Sequence, residues 1–461
     1  MGENAEPAGH TGNPATATAV RGRGWAPGDR EQVAVVSFSH AIQHCYSAML
    51  GIVYPFALAE FHISYAVLGV VLGATGLAGG LLQGLAGAVR RFPARMLLGG
   101  QNLGIAVASA LGALSPGFAM FAGARVLGQL ASWPQHPVGS AHLTDRVPHR
   151  RGLVLAAHTT GGNAGTLVAP IIASAFIAAF SWRWALAAMG ALLAASSLVT
   201  WARVRTARHQ PGDRAAPDLP EDDRAGSAGR ATSPPPTAPG AAAPGRDPGP
   251  RQPAAVPVTL RRALRRRTAV AILVAGTISA AGRGLGVLTT YIPAYLRDGL
   301  HEPALTIGVL VTVVGVGAVA GPMLGGQISD RAGRRTVLYA LYGCGAIGLA
   351  SFVLVGSSLA ALALTGLVIG VFSYSEQPVR QALFSDAMEG VSARAAFGAY
   401  FAISQSFGAL WVTILGFIIT GASFRAAFFV MAASFVVAGT VIAVFARDRA
   451  GAPPAAPAEP S

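Results

Sequence analysis

Long apolar stretches alternate with short polar gaps along most of this chain. They fall near 33–58, 65–89, 94–115, 117–143, 152–180, 183–203, 268–296, 304–329, 335–356, 358–386, 394–420 and 424–446. Each reaches the roughly 20 residues that a helix rising about 1.5 Å per residue needs to cross a bilayer. The pattern predicts an all-α membrane protein with twelve transmembrane helices.

The alternation breaks once, at 204–266, around SPPPTAPGAAAPGRDPGPRQPAAVP. Too few large apolar side chains occur there to build a packed core, so a disordered cytoplasmic linker is expected. It would join a six-helix bundle at 33–203 to another at 267–447, with cytoplasmic tails at 1–32 and 448–461. The bundles read as a repeat. PQHPVGSAHLTD at Pro134–Asp145 aligns with SEQPVRQALFSD at Ser375–Asp386, and SWRWALAAMGALLAA at Ser181–Ala195 with SFRAAFFVMAASFVV at Ser423–Val437. Duplicated six-helix units joined by a loop are a layout in which transporters place a binding site at the midplane, between halves that rock against each other.

Composition agrees with the pattern: 52% of residues are hydrophobic and only 12% charged. The formal charge of +14 comes from arginine alone, since the chain has no lysine. These arginines sit in alternate loops rather than on one face, which argues against nucleic-acid binding. By the positive-inside rule those loops, and both termini, are cytoplasmic, which suits an inner-membrane protein. No cleaved signal is expected, because the first apolar stretch is too long for a signal-peptide core. Cys45 and Cys344 fall inside predicted spans and suggest no disulfide framework.

One gap carries a signature. GQISDRAGRR at Gly326–Arg335 fits G-x-x-x-D-R-x-G-R-R at Gly326, Asp330, Arg331, Gly333, Arg334 and Arg335. Gly326 would let helices approach, Gly333 would supply a turn, and the arginines would hold the loop on the cytoplasmic side. A degraded copy, GLAGAVRRFPAR at Gly84–Arg95, has Arg90 where the acid belongs and Pro93 where the second glycine belongs. The string resembles the loop signature of the major facilitator superfamily of membrane transporters. That resemblance implies two pseudo-symmetric six-helix bundles, alternating access, and a gating role for Asp330. TTGGNAGTLVAP at Thr159–Pro170 looks like a loose version of the family's antiporter motif.

Charged side chains at mid-bilayer cost roughly 2.5–3.5 kcal/mol each on insertion scales, so they should line a cavity or pair with one another. Glu376 is the one acid well inside a predicted span. It either carries a proton or forms an ion pair with Arg380, one helical turn on. Arg283 interrupts 268–296 with no acid nearby in sequence, and so faces the cavity or a partner on another helix. Arg125 resembles the arginine of the family's fourth helix and either contacts substrate or snorkels outward. His40 and His44 share one helix face, as do His136 and Ser140. With no carboxylate or cysteine at ligand spacing, cavity hydrogen bonding or proton relay is expected of these histidines rather than metal binding, and His142 and His158 are expected to be packed. Gln135 and His136 align with Glu376 and Gln377, so the halves offer unlike chemistry at matched depth, which suits a substrate site better than a scaffold and makes Gln135 and His136 candidate substrate contacts.

SFSHAIQHCYSAMLGIVYPFALAEFHISYAVLGVVL at Ser37–Leu72, WPQHP at Trp133–Pro137 and RGLVLAAHTTGGNAG at Arg151–Gly165 are similar to fosmidomycin-resistance efflux proteins within the superfamily. The expectation is a monomeric secondary transporter without cofactor, coupling protons to efflux of a small anionic or amphipathic compound. The alternatives are a proton symporter importing an organic anion and a non-transporting sensor. An enzyme is not expected, because no nucleophile-base pair, carboxylate pair or metal-ligand cluster stands out in any span.

Overall fold

In lipid, backbone N–H and C=O groups must bond within their own segment, so apolar stretches of these lengths fold as helices. The computed structural model of the chain describes residues 25–84, 92–205, 264, 266–388, 400, 403, 404 and 407–446. The tails before 25 and after 446, most of the expected linker (206–263 and 265), Arg90, Arg91 and Arg394 lie outside the described residues. Among the described residues there is no strand.

The first half of the chain builds α1 (Asp29–Phe61), α2 (Tyr65–Gly84), α3 (Ala94–Ala113), α4 (Phe118–Ala131), α5 (Ser140–Arg146), α6 (Arg151–Ala179) and α7 (Trp182–Arg203). The second half builds α8 (Arg267–Ser279), α9 (Thr289–Ala294), α10 (Ala304–Ala332), α11 (Arg334–Phe352), α12 (Leu359–Ala387), α13 (Leu410–Gly421) and α14 (Phe424–Phe445). A wide turn at Gln135–Gly139 joins α4 to α5, and wide turns at Gly284–Leu288 and Tyr295–Gly299 flank α9. Among the described residues, seven helical segments, one of them the interrupted run Arg267–Gly299, are long and apolar enough to cross a membrane, and the order of the described helices fits twelve spans.

Within each half, small residues bring backbones together. A Cβ on Gly161 would come 2.5 Å from the Ser37 carbonyl oxygen, which seats α6 directly on α1. Gly317 and Gly321 do the same for α10 against α12. Without a hydrophobic driving force between helices in lipid, such close van der Waals packing is what associates them. Gly326 has a different place from the one expected: a Cβ there would meet nothing within 4 Å among the described residues, whereas Gly325 faces Ser375 of α12 at 3.0 Å. One residue along a helix turns the side chain by about 100°, so the helix-facing position is the neighbour of the motif glycine.

Among the described residues, the contacts that join the halves gather at one end of the molecule. Tyr65 donates to Asp298, which also pairs with Arg297. Thr413 Oγ1 donates to the Gly69 carbonyl at 2.8 Å, Ala66 N–H donates to Thr420 Oγ1 at 3.0 Å, and the Arg297 guanidinium lies 4.6 Å from the Phe56 ring centre.

Candidate functional site

A cavity of ≈ 340 Å³ opens between the halves, with His44, Arg125, His136 and Thr166 on one wall and Arg283 and Thr290 on the other. Its two cations are held differently. Arg125 donates from Nε to Tyr54 Oη at 2.7 Å and from Nη2 to Gln129 Oε1 at 2.9 Å, both neutral partners. Arg283 stands where the expected span 268–296 is interrupted: its backbone is extended (φ −113°, ψ 156°), between a short 3₁₀ turn at Ala280–Gly282 and the wide turn at Gly284–Leu288. The string GRGLG explains the break, since Gly286 has φ +94°, a region open mainly to glycine. Non-helical backbone at membrane depth is tolerated where it lines a cavity, and such broken helices recur at transporter binding sites.

Arg283 is 7% exposed, and its Nε lies 3.6 Å from Glu376 Oε1 on α12. It therefore both lines the cavity and meets a partner on another helix. Glu376 and Arg380 are both fully buried. Arg380 donates to the carboxylate from Nε at 2.9 Å and from Nη2 at 3.4 Å, and Tyr342 adds a hydrogen bond at 3.3 Å. The Arg380 guanidinium also lies 5.3 Å from the Tyr400 ring centre. The one-turn ion pair read from sequence is thus formed, and Arg283 adds a second cation.

Gln135 does not line the cavity. It is fully buried, accepting from Gln101 Nε2 at 2.8 Å and Ser39 Oγ at 3.4 Å while donating to the Val36 carbonyl at 3.3 Å. Asn102 extends this network to Ser39 at 2.9 Å and Ser196 at 3.1 Å. The histidines, in contrast, gather. His40 and His44 on α1, His136 in the turn after α4 and His158 on α6 form one cluster, with the His40 ring centre 4.4, 4.9 and 4.1 Å from those of His44, His136 and His158. His136 reaches into the cavity, His40 is 3% exposed behind it, and His158 is buried against His40. His142 is packed, 3.2 Å from Gln32 Oε1.

The loop signature stands away from the cavity, at the α10–α11 junction. Gly333 has φ +88°, the turn expected of it. Arg334 bridges Asp330 at 3.7 Å and Asp386 at the end of α12 at 2.8 Å, while Arg331 and Arg335 flank that bridge in sequence. Asp386 was open to detection, because it closes the repeated string Ser375–Asp386. Tyr342 was not: a neutral residue in an apolar span looks like packing until its partner is known.

A family model described as Major Facilitator Superfamily matches residues 36–412 and, again, 300–461. Among solved structures, the chain is similar to the nucleoside transporter NupG, at 13% identity and a TM-score of 0.67, covering 92% of this chain and 100% of that one. It is also similar to a bacterial homologue of the human lysosomal transporter Spinster in an inward-facing, unoccupied conformation, at 14% identity and a TM-score of 0.64, covering 92% and 96%. The D-xylose-proton symporter matches at 16% identity and a TM-score of 0.64, covering 90% and 97%. At these identities the likeness speaks for the fold. No curated protein matches the chain at a significant level.

Proposed function

This chain belongs to the Major Facilitator Superfamily, and we propose that it carries a small organic anion, coupled to protons, through the cavity between its halves by alternating access. It is a multi-pass membrane transporter rather than an enzyme. One observation carries the anion reading: Arg283 lines the cavity with its Nη1 buried and lacking a hydrogen-bond partner among the described residues. Its one carboxylate neighbour among the described residues, Glu376, is shared with Arg380. Arg125 adds a second positive group with neutral partners. Three guanidinium groups against one carboxylate leave this region positive, which suits a carboxylate, phosphate or phosphonate group and opposes a cation.

With the arginine-bearing loops on the cytoplasmic face, the joined end at Tyr65 and Asp298 is the outer one, and this conformation faces inward with both termini in the cytoplasm of an inner-membrane monomer. Export is the direction supported by the passages similar to fosmidomycin-resistance efflux proteins. A second reading, uptake by proton symport, draws on the Arg283–Glu376 pair. In that reading Glu376 takes the proton and releases Arg283 to the anion, so that the two are carried together.

The deciding experiment measures transport of a radiolabelled phosphonate in whole cells and in everted vesicles. Protonophore-sensitive accumulation in everted vesicles is expected for export, and accumulation only in whole cells would establish uptake. Glu376→Gln should abolish the dependence on the pH gradient while retaining binding, and unchanged coupling would remove Glu376 from the proton path. Arg283→Ala should weaken anion binding about tenfold, the equivalent of roughly 1.4 kcal/mol. Equal affinity would leave Arg283 a structural part only.

A further inference from the structure

We infer that His40, His44 and His136 form a binding site for a divalent transition-metal ion of the zinc, cobalt or nickel type on the first-half wall of the cavity. Ligand nitrogens from the three residues all lie within 4.8 Å of one another. Around a tetrahedral ion with metal–nitrogen bonds of about 2.0–2.1 Å, nitrogens sit about 3.3 Å apart. His136, exposed to the cavity, is the ring free to turn and close that difference on the other two.

The hydrogen bonds around the cluster prepare two of the rings for metal. His40 Nδ1 lies 2.8 Å from the carbonyl oxygen of His158. A carbonyl only accepts, so Nδ1 carries the proton and the neutral ring presents its lone pair at Nε2. That Nε2 is buried and has no hydrogen-bond partner among the described residues. His44 Nδ1 lies 3.1 Å from Thr166 Oγ1, whose own proton goes to the Gly162 carbonyl at 3.2 Å. The hydroxyl therefore accepts from His44 Nδ1–H, and His44 also presents Nε2 bare. Metal-binding histidines almost always donate the other ring N–H to a carbonyl or another acceptor in this way, which fixes the tautomer and the ring. Stacking on His158, with ring centres 4.1 Å apart, further holds His40. Gly162 leaves it room, since a Cβ there would come 2.7 Å from His40 Cε1.

Imidazole donors suit borderline transition metals rather than magnesium or calcium, which prefer oxygen. Three histidines leave a fourth position open, and His44 and His136 both border the cavity. Neutral imidazoles do not offset the ion's charge, and Arg125 and Arg283 face the same space. The fourth ligand is accordingly an anionic oxygen drawn from the cavity, a clause that rests on the reading of the cavity as an anion site. The three-histidine site itself does not rest on it.

The test uses tag-free, chelator-stripped full-length protein in detergent, titrated with zinc chloride alone by equilibrium dialysis and with cobalt chloride alone by visible absorption. One zinc per chain is expected, together with the intense visible bands of four-coordinate cobalt. His44→Gln and His136→Gln should each weaken zinc binding at least tenfold. His301→Asn, on a loop with φ +60° that asparagine tolerates, should leave it unchanged. Because the chain has 10 histidines, this contrast is decisive. Absence of stoichiometric zinc from the wild-type protein, or undiminished binding in the His44→Gln/His136→Gln double variant, overturns the site while leaving anion transport standing.

Discussion

Gln135 and Glu376 occupy the same slot in the two halves of the molecule, and the structure repeats the slot's wiring with different chemistry. Gln101 donates to Gln135 at 2.8 Å, and Tyr342 donates to Glu376 at 3.3 Å. Donors and acceptors alike are 241 residues apart in sequence. Both acceptors are fully buried. The first-half slot is neutral and is met by amides, hydroxyls and the Val36 carbonyl. The second-half slot carries a charge, and a buried charge must be paired. It is met by Arg380, at the position where the first half has Gly139, and by Arg283 from the broken helix at the cavity. One exchange, amide for carboxylate, thereby connects a buried network to the cavity. The first half reaches the cavity by other means, through its histidines and through Arg125.

The largest effect is expected where charge balance is broken. Arg380→Ala leaves Glu376 the Tyr342 hydroxyl and, as its one cation among the described residues, the more distant Arg283, and should destabilise the protein by about 3–5 kcal/mol, the cost of breaking a buried pair from one side. Thermal unfolding in detergent measures it. Adding Glu376→Gln should recover most of the loss, and a double variant as unstable as the single one would show that Arg380 acts by packing. The neutral slot should respond less. Gln135→Ala takes from the buried Gln101 amide its 2.8 Å acceptor and leaves it, among the described residues, only Asn102 Oδ1 at 3.4 Å, which costs about 1–3 kcal/mol, the usual penalty of a poorly satisfied buried polar group. A loss as large as that of Arg380→Ala would erase the distinction between the slots.

The fold was legible because its signal is redundant: twelve apolar runs, a repeated string, and a loop motif at one place in the repeat. The site was legible only along single helices. His40 and His44 lie four apart, and Glu376 and Arg380 likewise, so helical period places each pair on one face. Arg283 has no acid near it in sequence, yet meets Glu376 across the bundle, and no periodicity encodes that meeting. His136 and His158 join the α1 histidines for the same reason, through packing of separate helices. The break at Arg283 left a readable trace in GRGLG, but an apolar run flanking it on both sides reads as a continuous span.

The smallest effect on stability belongs to the loop signature, where the comparison between halves turns from chemistry to movement. Arg334 joins Asp330 and Asp386, with side chains 32%, 66% and 55% exposed. Pairs this exposed contribute about 0.2–1 kcal/mol, because water screens them and holding the side chains costs entropy. Asp386→Asn should therefore leave the thermal midpoint almost unmoved. Its bridge nonetheless ties the α10–α11 junction to the end of α12 within the second half, and so sets the helix ends that this half would present to the other in the proposed rocking. A bias of even 1 kcal/mol shifts a two-state equilibrium about fivefold. The expected outcome is a several-fold change in turnover at unchanged anion affinity, measured in proteoliposomes beside Asp330→Asn. The degraded first-half copy has Arg90 at the place of the acid. Turnover equal to that of the wild type in both variants would mean that the second-half copy serves only to hold arginine on one side of the membrane.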